Sequence, residues 1–205
     1  MQMSSPTLSH ARSAAFVEPD WRAPIDCARE VSRIPEDATI SGMFLAPMVE
    51  KAEALGAPLP SARQRYTRFN FYPLREHVQL MFEAAERFFP RMPMRQALRK
   101  LGRGGTPALL ESTLGRVVFS TAVTPIDAIV AMAKAYGINL RPGRAQVLEH
   151  GDGYAIVELE EIHYLLDTNH VGCFENVLRS LEKRAGVRIH VLGRGRAELL
   201  VTWDG

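Results

Sequence analysis

The last third of the chain constrains the fold most, because the spacing of its apolar residues changes from helical to alternating after Arg141. In residues 187–191 apolar side chains occupy every second position, and residues 197–203 repeat this alternation after the turn Gly193-Arg194-Gly195. This pattern predicts a β-hairpin at the end of the chain.

Residues 141–205 as a whole predict a hairpin, a helix and a second hairpin. Residues 145–149 and 154–160 have the composition of two strands around a glycine-rich turn. Residues 171–185 follow as an amphipathic helix, with Glu175 and Arg179 four positions apart on its predicted outer face. The fold class is therefore α+β, with an N-terminal helical layer packed on a C-terminal antiparallel sheet of about four or five strands.

Residues 18–137 predict a mainly helical part, because their apolar residues recur three and four positions apart. The predicted helices cover residues 26–32, 41–55, 74–89, 93–101, 106–114 and 124–136. Thr106-Pro107 and Thr124-Pro125 each predict a helix start, with threonine as the cap and proline in the first turn. The glycines at residues 102–105 predict a loop between two of these helices.

Composition limits the class of protein. With 205 residues, 46% of them hydrophobic and 23% charged, the chain is expected to form a single domain over residues 1–205, with a disordered tip at residues 1–10. Cys27 and Cys173 show no spacing typical of a disulfide framework or a zinc knuckle, which favours a reducing compartment. No apolar run approaches the roughly 20 residues that span a bilayer, and the start lacks the apolar core of a secretory signal. We therefore expect a cytoplasmic protein without a membrane span.

Arginine recurs at every fourth position in the middle of the chain, as Arg87, Arg91, Arg95, Arg99 and Arg103. On one continuous helix this spacing would form a cationic ridge able to attract phosphates or an acidic partner. Pro90 and Pro93 interrupt such a helix, so at most the last three arginines share a face. A solvated helix surface is favoured over nucleic-acid binding, because no groove-reading motif accompanies the arginines.

Two histidine arrangements raise the hypothesis of a metal or haem site. His170 and Cys173 lie three residues apart near the start of a predicted helix, and His163 precedes His170 by seven residues. A typical zinc site needs a second clustered pair, so Cys173 is better interpreted as a small buried side chain. His77 could project into an apolar chamber as a haem or ligand contact. A histidine at the edge of the core, hydrogen-bonded to water or a carbonyl group, is the favoured interpretation.

Patterns typical of catalysis are missing from the sequence. Ser112 and Ser120 lack the Gly-x-Ser-x-Gly elbow of a nucleophilic serine. Glu160 and Glu161 are neighbours at a predicted strand end and point to opposite faces, so they are unsuited to act as an acid and base pair. The protein is therefore expected not to be an enzyme and to use no cofactor.

Several motifs resemble those of a known family. They are Gly42-Met43-Phe44, Phe71-Tyr72-Pro73, Leu101-Gly102, Ala135-Tyr136, the run from His170 to Arg179 and the strand from Ala197 to Trp203. They are similar to an uncharacterised family, of about the length of this 205-residue chain, that is found as many paralogues in myxobacteria. The resemblance covers nearly the whole chain, and it implies no activity because none is established for that family.

The order of elements is also similar to the ligand-binding fold shared by vinyl-reductase-type small-molecule-binding domains, transport-particle subunits and haem nitric-oxide sensors. This resemblance concerns the fold, from which function does not follow. The sequence lacks both the cysteine-rich end of the small-molecule-binding domains and the Tyr-x-Ser-x-Arg haem motif of the sensors.

The sequence therefore predicts a non-catalytic sensor or adaptor domain in signalling, which binds a small apolar ligand or a protein partner. Phe82, Phe88, Phe174 and Trp203 are candidate walls of a ligand cavity between the helical layer and the sheet, with ordinary core packing as the competing interpretation. The alternative is a metal- or haem-binding protein using the histidines and cysteine named above. The terminal hairpin leaves a strand edge through which a homodimer could form.

Overall fold

The computed structural model describes residues 10–204, which form helices and antiparallel sheets as predicted for an α+β fold. Its helices are α1 (His10–Ala14), α2 (Cys27–Ser32), α3 (Leu45–Ala54), α4 (Leu74–Phe88), α5 (Met94–Glu111), α6 (Thr113–Val118), α7 (Pro125–Asn139) and α8 (Asn169–Arg179). Its strands are β1 (Thr39–Ser41), β2 (Phe71–Pro73), β3 (Leu140–Arg141), β4 (Arg144–Gly151), β5 (Tyr154–Glu160), β6 (Ala185–Gly193) and β7 (Arg196–Trp203). The disordered tip predicted for residues 1–10 lies outside the described residues, apart from His10 in α1.

The two predicted hairpins are confirmed, and they join into one four-stranded antiparallel sheet in the order β4-β5-β7-β6. The central strands β5 and β7 pair with Val157 opposite Leu199. Both faces of β5 are buried, because one faces the main core while Phe16 packs with Ile156 and Leu200 on the other. A strand that is covered on both sides needs no strict alternation of apolar and polar residues, which explains its irregular sequence pattern.

A second sheet of three short strands was not predicted. In this sheet β1 lies between β2 and β3, with Ile40 opposite both Tyr72 and Leu140. β1 also replaces the expected start of a helix at residue 41, and α3 begins only at Leu45. Strands of two or three residues are too short to show a periodic pattern, so the sequence could not indicate them.

The largest correction concerns α5. The loop predicted at residues 102–105 and the helix start predicted at Thr106-Pro107 are wrong, because one helix runs through both. A Cβ atom on Gly102 would lie 2.1 Å from the carbonyl oxygen of Asn169 in α8, and one on Gly172 would lie 2.1 Å from that of Arg99 in α5. These glycines therefore allow the backbones of α5 and α8 to pack in direct contact, rather than breaking the chain.

Other element boundaries agree better with the sequence. The predicted start at Thr124-Pro125 is confirmed by a capping box between Thr124 and Asp127. The helix predicted for residues 171–185 is shorter, because Ala185 already pairs with Trp203 as the first residue of β6. Residues 10–17 contain α1 and a bridge between Val17 and Ile189. Within residues 10–204, no helix has the length and apolar character needed to cross a membrane.

Candidate ligand cavity

A cavity of about 240 Å³ lies among α3, α4, α5, α7 and α8. Most of its wall is apolar, and methionine is frequent in it, as Met43, Met48, Met81 and Met132. Methionine side chains are flexible and polarizable, so they can adapt to an irregular gap or to a guest molecule. The wall includes the exposed residues Lys51, Lys100 and Gly104, which mark the side that opens to solvent.

His77 of α4 is the unusual polar residue of this wall. Its side chain is buried, and burial lowers the pKa of the imidazole to about 4, so the ring is neutral at neutral pH. In the described part of the chain no hydrogen-bond partner is present for His77, and its Nδ1 atom is fully enclosed. Tyr164 packs edge-on against the ring, with 6.2 Å between the ring centroids. His77 therefore brings unused hydrogen-bonding capacity to an apolar cavity.

His170 of α8 is also neutral, but both of its nitrogens are engaged. Its Nε2 lies 3.1 Å from the carbonyl oxygen of Tyr164, which can only accept, so Nε2 carries the hydrogen and donates. Nδ1 then accepts a hydrogen bond from the hydroxyl of Tyr136 at 2.8 Å. Burial lowers the pKa of His170 to about 3, which keeps this tautomer at neutral pH. The residue consequently has no free lone pair for a metal ion.

Cys173 lies one turn after His170 and also lines the cavity. Its thiol donates to the carbonyl oxygen of Gly102 at 3.5 Å, and burial raises the pKa of the thiol to about 12. Since the thiolate is the form that binds metals and attacks electrophiles, the protonated thiol is poorly suited to either role. Cys173 and His170 thus both line the cavity, three positions apart on α8.

The structure does not bring His163 to this pair. His163 lines a separate cleft of about 640 Å³, where a Cβ atom on Gly195 would lie 2.7 Å from its Nδ1 atom. Across residues 10–204, no group of three or more histidine, cysteine, aspartate or glutamate side chains has an arrangement that could hold a metal ion. The three-ligand hypothesis of His163, His170 and Cys173 therefore has no geometric support.

Of the four aromatic residues predicted as cavity walls, Phe88 is the one in the lining. Phe82 is buried in the main core, and Phe174 is fully buried behind Tyr136, with the two rings stacked at 5.9 Å. Trp203 packs partly buried at the end of β7, beside the core. The sequence identified these residues as apolar and inward-facing, but spacing alone does not separate a cavity wall from the core behind it.

Sequence reasoning missed the two lysines at the opening. The Nζ atom of Lys51 lies 5.5 Å from the ring centroid of Phe88, and that of Lys100 lies 5.3 Å from the ring centroid of Phe89. The two rings are themselves 6.3 Å apart and meet edge-on. Each lysine occupies the polar side of an amphipathic helix, where its sequence context is the same as that of any solvated lysine.

Ion pairs join α5 to α8 and to the segment just before it, along one wall of the cavity. Arg99 and Arg103 both bind the carboxylate of Glu175, with Arg103 at 2.8 Å, and Arg95 binds Asp167. The side chain of Glu175 is only 4% exposed. The prediction that these arginines form a solvated surface is therefore wrong, as is the predicted outer-face position of Glu175. The three arginines share one helix face, as expected, but α8 covers that face.

A comparison with known protein families identifies the family of this chain. The family model described as Protein of unknown function (DUF2378) matches residues 33–204. The chain belongs to this family. No curated protein matches the sequence. The predicted membership of a family of unknown function is thus confirmed.

Solved H-NOX structures share the fold of this DUF2378 protein. An unliganded Fe(II) H-NOX protein from K. algicida has a TM-score of 0.61 at 11% identity, over 81% of this chain and 97% of that chain. An H-NOX protein from S. oneidensis in the Fe(II)NO state has a TM-score of 0.63 at 10% identity, over 81% and 100%. An oxygen-binding H-NOX domain related to soluble guanylate cyclases has a TM-score of 0.55 at 10% identity, over 80% and 92%. The fold similarity to haem nitric-oxide sensors is therefore confirmed.

Haem is the group that the H-NOX fold implies, and the residues of this chain do not fit it. The cavity of about 240 Å³ is smaller than the roughly 300–1,000 Å³ of common small-molecule sites. A ligating histidine almost always donates its second ring nitrogen to an acceptor, whereas the enclosed Nδ1 of His77 has none among residues 10–204. His170 cannot replace it, because both of its nitrogens are already hydrogen-bonded.

Proposed function

We propose that this protein is a non-catalytic sensor or adaptor domain that binds a small apolar molecule in the cavity among α3, α4, α5, α7 and α8. The observation that carries the proposal is an apolar cavity of about 240 Å³ whose wall includes a neutral histidine with no hydrogen-bond partner in the described part of the chain. Burying a polar group without a hydrogen bond is unfavourable, and the cost is recovered when a bound molecule supplies the partner. His77 is therefore proposed as the polar contact that orients the ligand.

The chemistry of the wall supports a binding role over a catalytic one. Its two histidines have pKa values of about 4 and 3, and its thiol has a pKa of about 12, so all three are uncharged at neutral pH. A general acid or base works best when its pKa lies near the working pH, and a nucleophilic cysteine needs a thiolate. These groups are better suited to recognising a ligand than to transferring protons or forming covalent bonds.

The position of the cavity supports a sensing role. Five helices contribute to its wall, and two of them, α5 and α8, are tied together by the glycine contact and the ion pairs of Glu175. α8 in turn packs on β6 of the sheet. A ligand that changes the spacing of these helices would therefore act on both α8 and the sheet.

Binding of a neutral apolar dye, N-phenyl-1-naphthylamine, tests the proposal. We expect its fluorescence to rise on addition of the wild-type protein and to saturate. Gly105 belongs to the cavity wall, and no atom of the described residues lies within 4 Å of a Cβ atom at this position, so Gly105→Phe places a large side chain in open space at the site. This variant should weaken dye binding by about tenfold or more, since it removes volume from the site.

Gly137→Phe provides the matched control. Gly137 also lies in a helix with nothing within 4 Å of a Cβ atom, but it faces solvent away from the cavity wall. This variant should bind the dye as the wild type does, and circular dichroism should show both variants folded. Equal binding by the two variants, or no saturable binding by the wild type, would refute the proposal.

A further inference from the structure

The wall of the cavity carries a net positive charge from two lysines. Lys51 and Lys100 belong to the wall, which contains no aspartate or glutamate among the described residues. Neither lysine forms an ion pair with a carboxylate within residues 10–204. Two cations above an apolar, low-dielectric wall concentrate a positive potential at the opening. Such an opening attracts anions.

The two ammonium groups approach the opening from different helices. Lys51 projects from α3 onto the ring of Phe88, and Lys100 projects from α5 onto the ring of Phe89. Because the two rings are in contact, the lysines flank one aromatic pair in the wall. Cation–π contacts of this kind restrain an ammonium group while leaving its remaining hydrogens available to an acceptor.

The interior of the cavity cannot hold an anion. Its histidines are neutral, and burial of a carboxylate without a cationic partner is strongly unfavourable. An anionic group would therefore remain at the rim, while an apolar group would occupy the interior. The division of the site into a charged rim and an apolar interior matches an amphiphilic molecule.

We infer that the ligand is an alkyl carboxylic acid with its carboxylate at Lys51 and Lys100, its chain inside the cavity and a hydroxyl group on that chain hydrogen-bonded to His77. This inference rests on the proposed function, whose ligand it specifies. An engineered cavity of about 150 Å³ is known to hold benzene, so a cavity of about 240 Å³ has room for a chain of roughly eight to ten carbons. A longer chain would extend past the rim or require the methionines of the wall to move.

Competition between decanoic acid and 1-decanol for the dye site tests this inference. The two probes have the same chain length and differ in the charge of the head group. In the variant Lys51→Gln/Lys100→Gln, the affinity for decanoate should fall about fivefold or more at low salt, since each exposed ion pair contributes a modest part. The affinity for 1-decanol should stay unchanged. Added salt should also weaken decanoate binding to the wild type, because it screens the charges of the two lysines.

Two controls separate charge from other effects of the substitutions. Lys51→Arg/Lys100→Arg keeps both charges and should preserve decanoate binding. Lys134→Gln removes an exposed lysine of α7 that does not line the cavity, and should leave both affinities unchanged. Equal loss of decanoate and decanol affinity, or no loss of either, in the glutamine double variant would overturn the carboxylate inference. If instead the wild type binds neither the dye nor either probe, the proposed function itself fails.

Discussion

The hydroxyl of Tyr136 donates a 2.8 Å hydrogen bond to Nδ1 of His170, linking the last turns of α7 to the first turn of α8. His170 in turn donates from Nε2 to the backbone of Tyr164. This chain of two bonds satisfies a fully buried imidazole and fixes its tautomer. The two cavity histidines therefore differ: His170 is hydrogen-bonded within the protein, whereas His77 has no comparable partner in the described residues.

Removing the hydroxyl should therefore destabilise the protein. Tyr136→Phe leaves the buried Nδ1 of His170 without a donor, and we expect the free energy of unfolding to fall by about 1–3 kcal/mol. Urea denaturation followed by circular dichroism measures the change. Tyr72→Phe is the control, because the hydroxyl of Tyr72 accepts from the backbone N–H of the exposed Thr67, which water can satisfy. A loss in Tyr136→Phe no larger than in the control would contradict the proposed bond.

Stability should depend on pH through the buried histidines. Burial lowers the pKa values of His77 and His170 from 6.5 to about 4 and 3, so the unfolded chain binds more protons than the folded protein below pH 6.5. The two neutral histidines therefore add to the free energy of unfolding above pH 6.5. This stabilisation is lost as the pH falls toward 4, by up to about 1.4 kcal/mol per pH unit for each group.

Urea titrations between pH 7 and pH 4.5 measure this slope. His77→Phe should flatten it, because the unfolded chain loses one proton-binding group whose folded counterpart stays neutral. Parallel slopes for the wild type and His77→Phe would show that His77 is not buried as described.

Two glycines of α5, only three residues apart, should respond in opposite ways to alanine. A Cβ atom on Gly102 would lie 2.1 Å from the carbonyl oxygen of Asn169, so Gly102→Ala must push α8 away and should cost about 1–3 kcal/mol of stability. Gly105 has nothing within 4 Å, so Gly105→Ala should stabilise the helix by about 0.5–1 kcal/mol. Thermal denaturation of both variants checks the sign. Stabilisation by Gly102→Ala would be incompatible with the close contact of α5 and α8.

The carboxylate of Glu175 should be important for stability. Glu175→Gln removes the negative charge shared by Arg99 and Arg103, and we expect the free energy of unfolding to fall by about 2 kcal/mol. The loss is smaller than for a fully buried pair because the guanidinium groups are partly exposed to water. Glu53→Gln, at an exposed position of α3, should change stability by less than about 0.5 kcal/mol. Similar values for the two variants in urea denaturation would argue against the ion pair.

Haemin should not form a specific complex through His77. The cavity is small, and the residues that the structure describes offer the enclosed Nδ1 atom of His77 no acceptor of the kind that supports a ligating histidine. Absorption spectra of the protein with added haemin should therefore show no Soret change that His77→Ala removes. A stoichiometric, His77-dependent Soret band would instead favour the haem-binding alternative.

The sequence was most informative where the local structure depends on residues that are close together in the sequence. The alternation of residues 187–191 and 197–203 determined a hairpin, and Thr124-Pro125 determined a helix start. The same kind of reasoning failed at Thr106-Pro107, which has the composition of a helix start but lies inside α5. Its threonine hydroxyl donates to the carbonyl oxygen of Gly102 four residues earlier, as a helix interior allows.

By itself, the sequence determined the α+β class, both terminal hairpins and most helices, because the period of apolar residues follows directly from local backbone geometry. Only the tertiary structure decided that Glu175 is buried beneath Arg99 and Arg103, and that Gly102 serves a helix contact. The cavity beside His77 also arises only in the tertiary structure, because it is space left between five helices. A periodic pattern specifies which side of a helix is apolar, but the partner opposite that side, and any gap between them, depends on how distant segments pack.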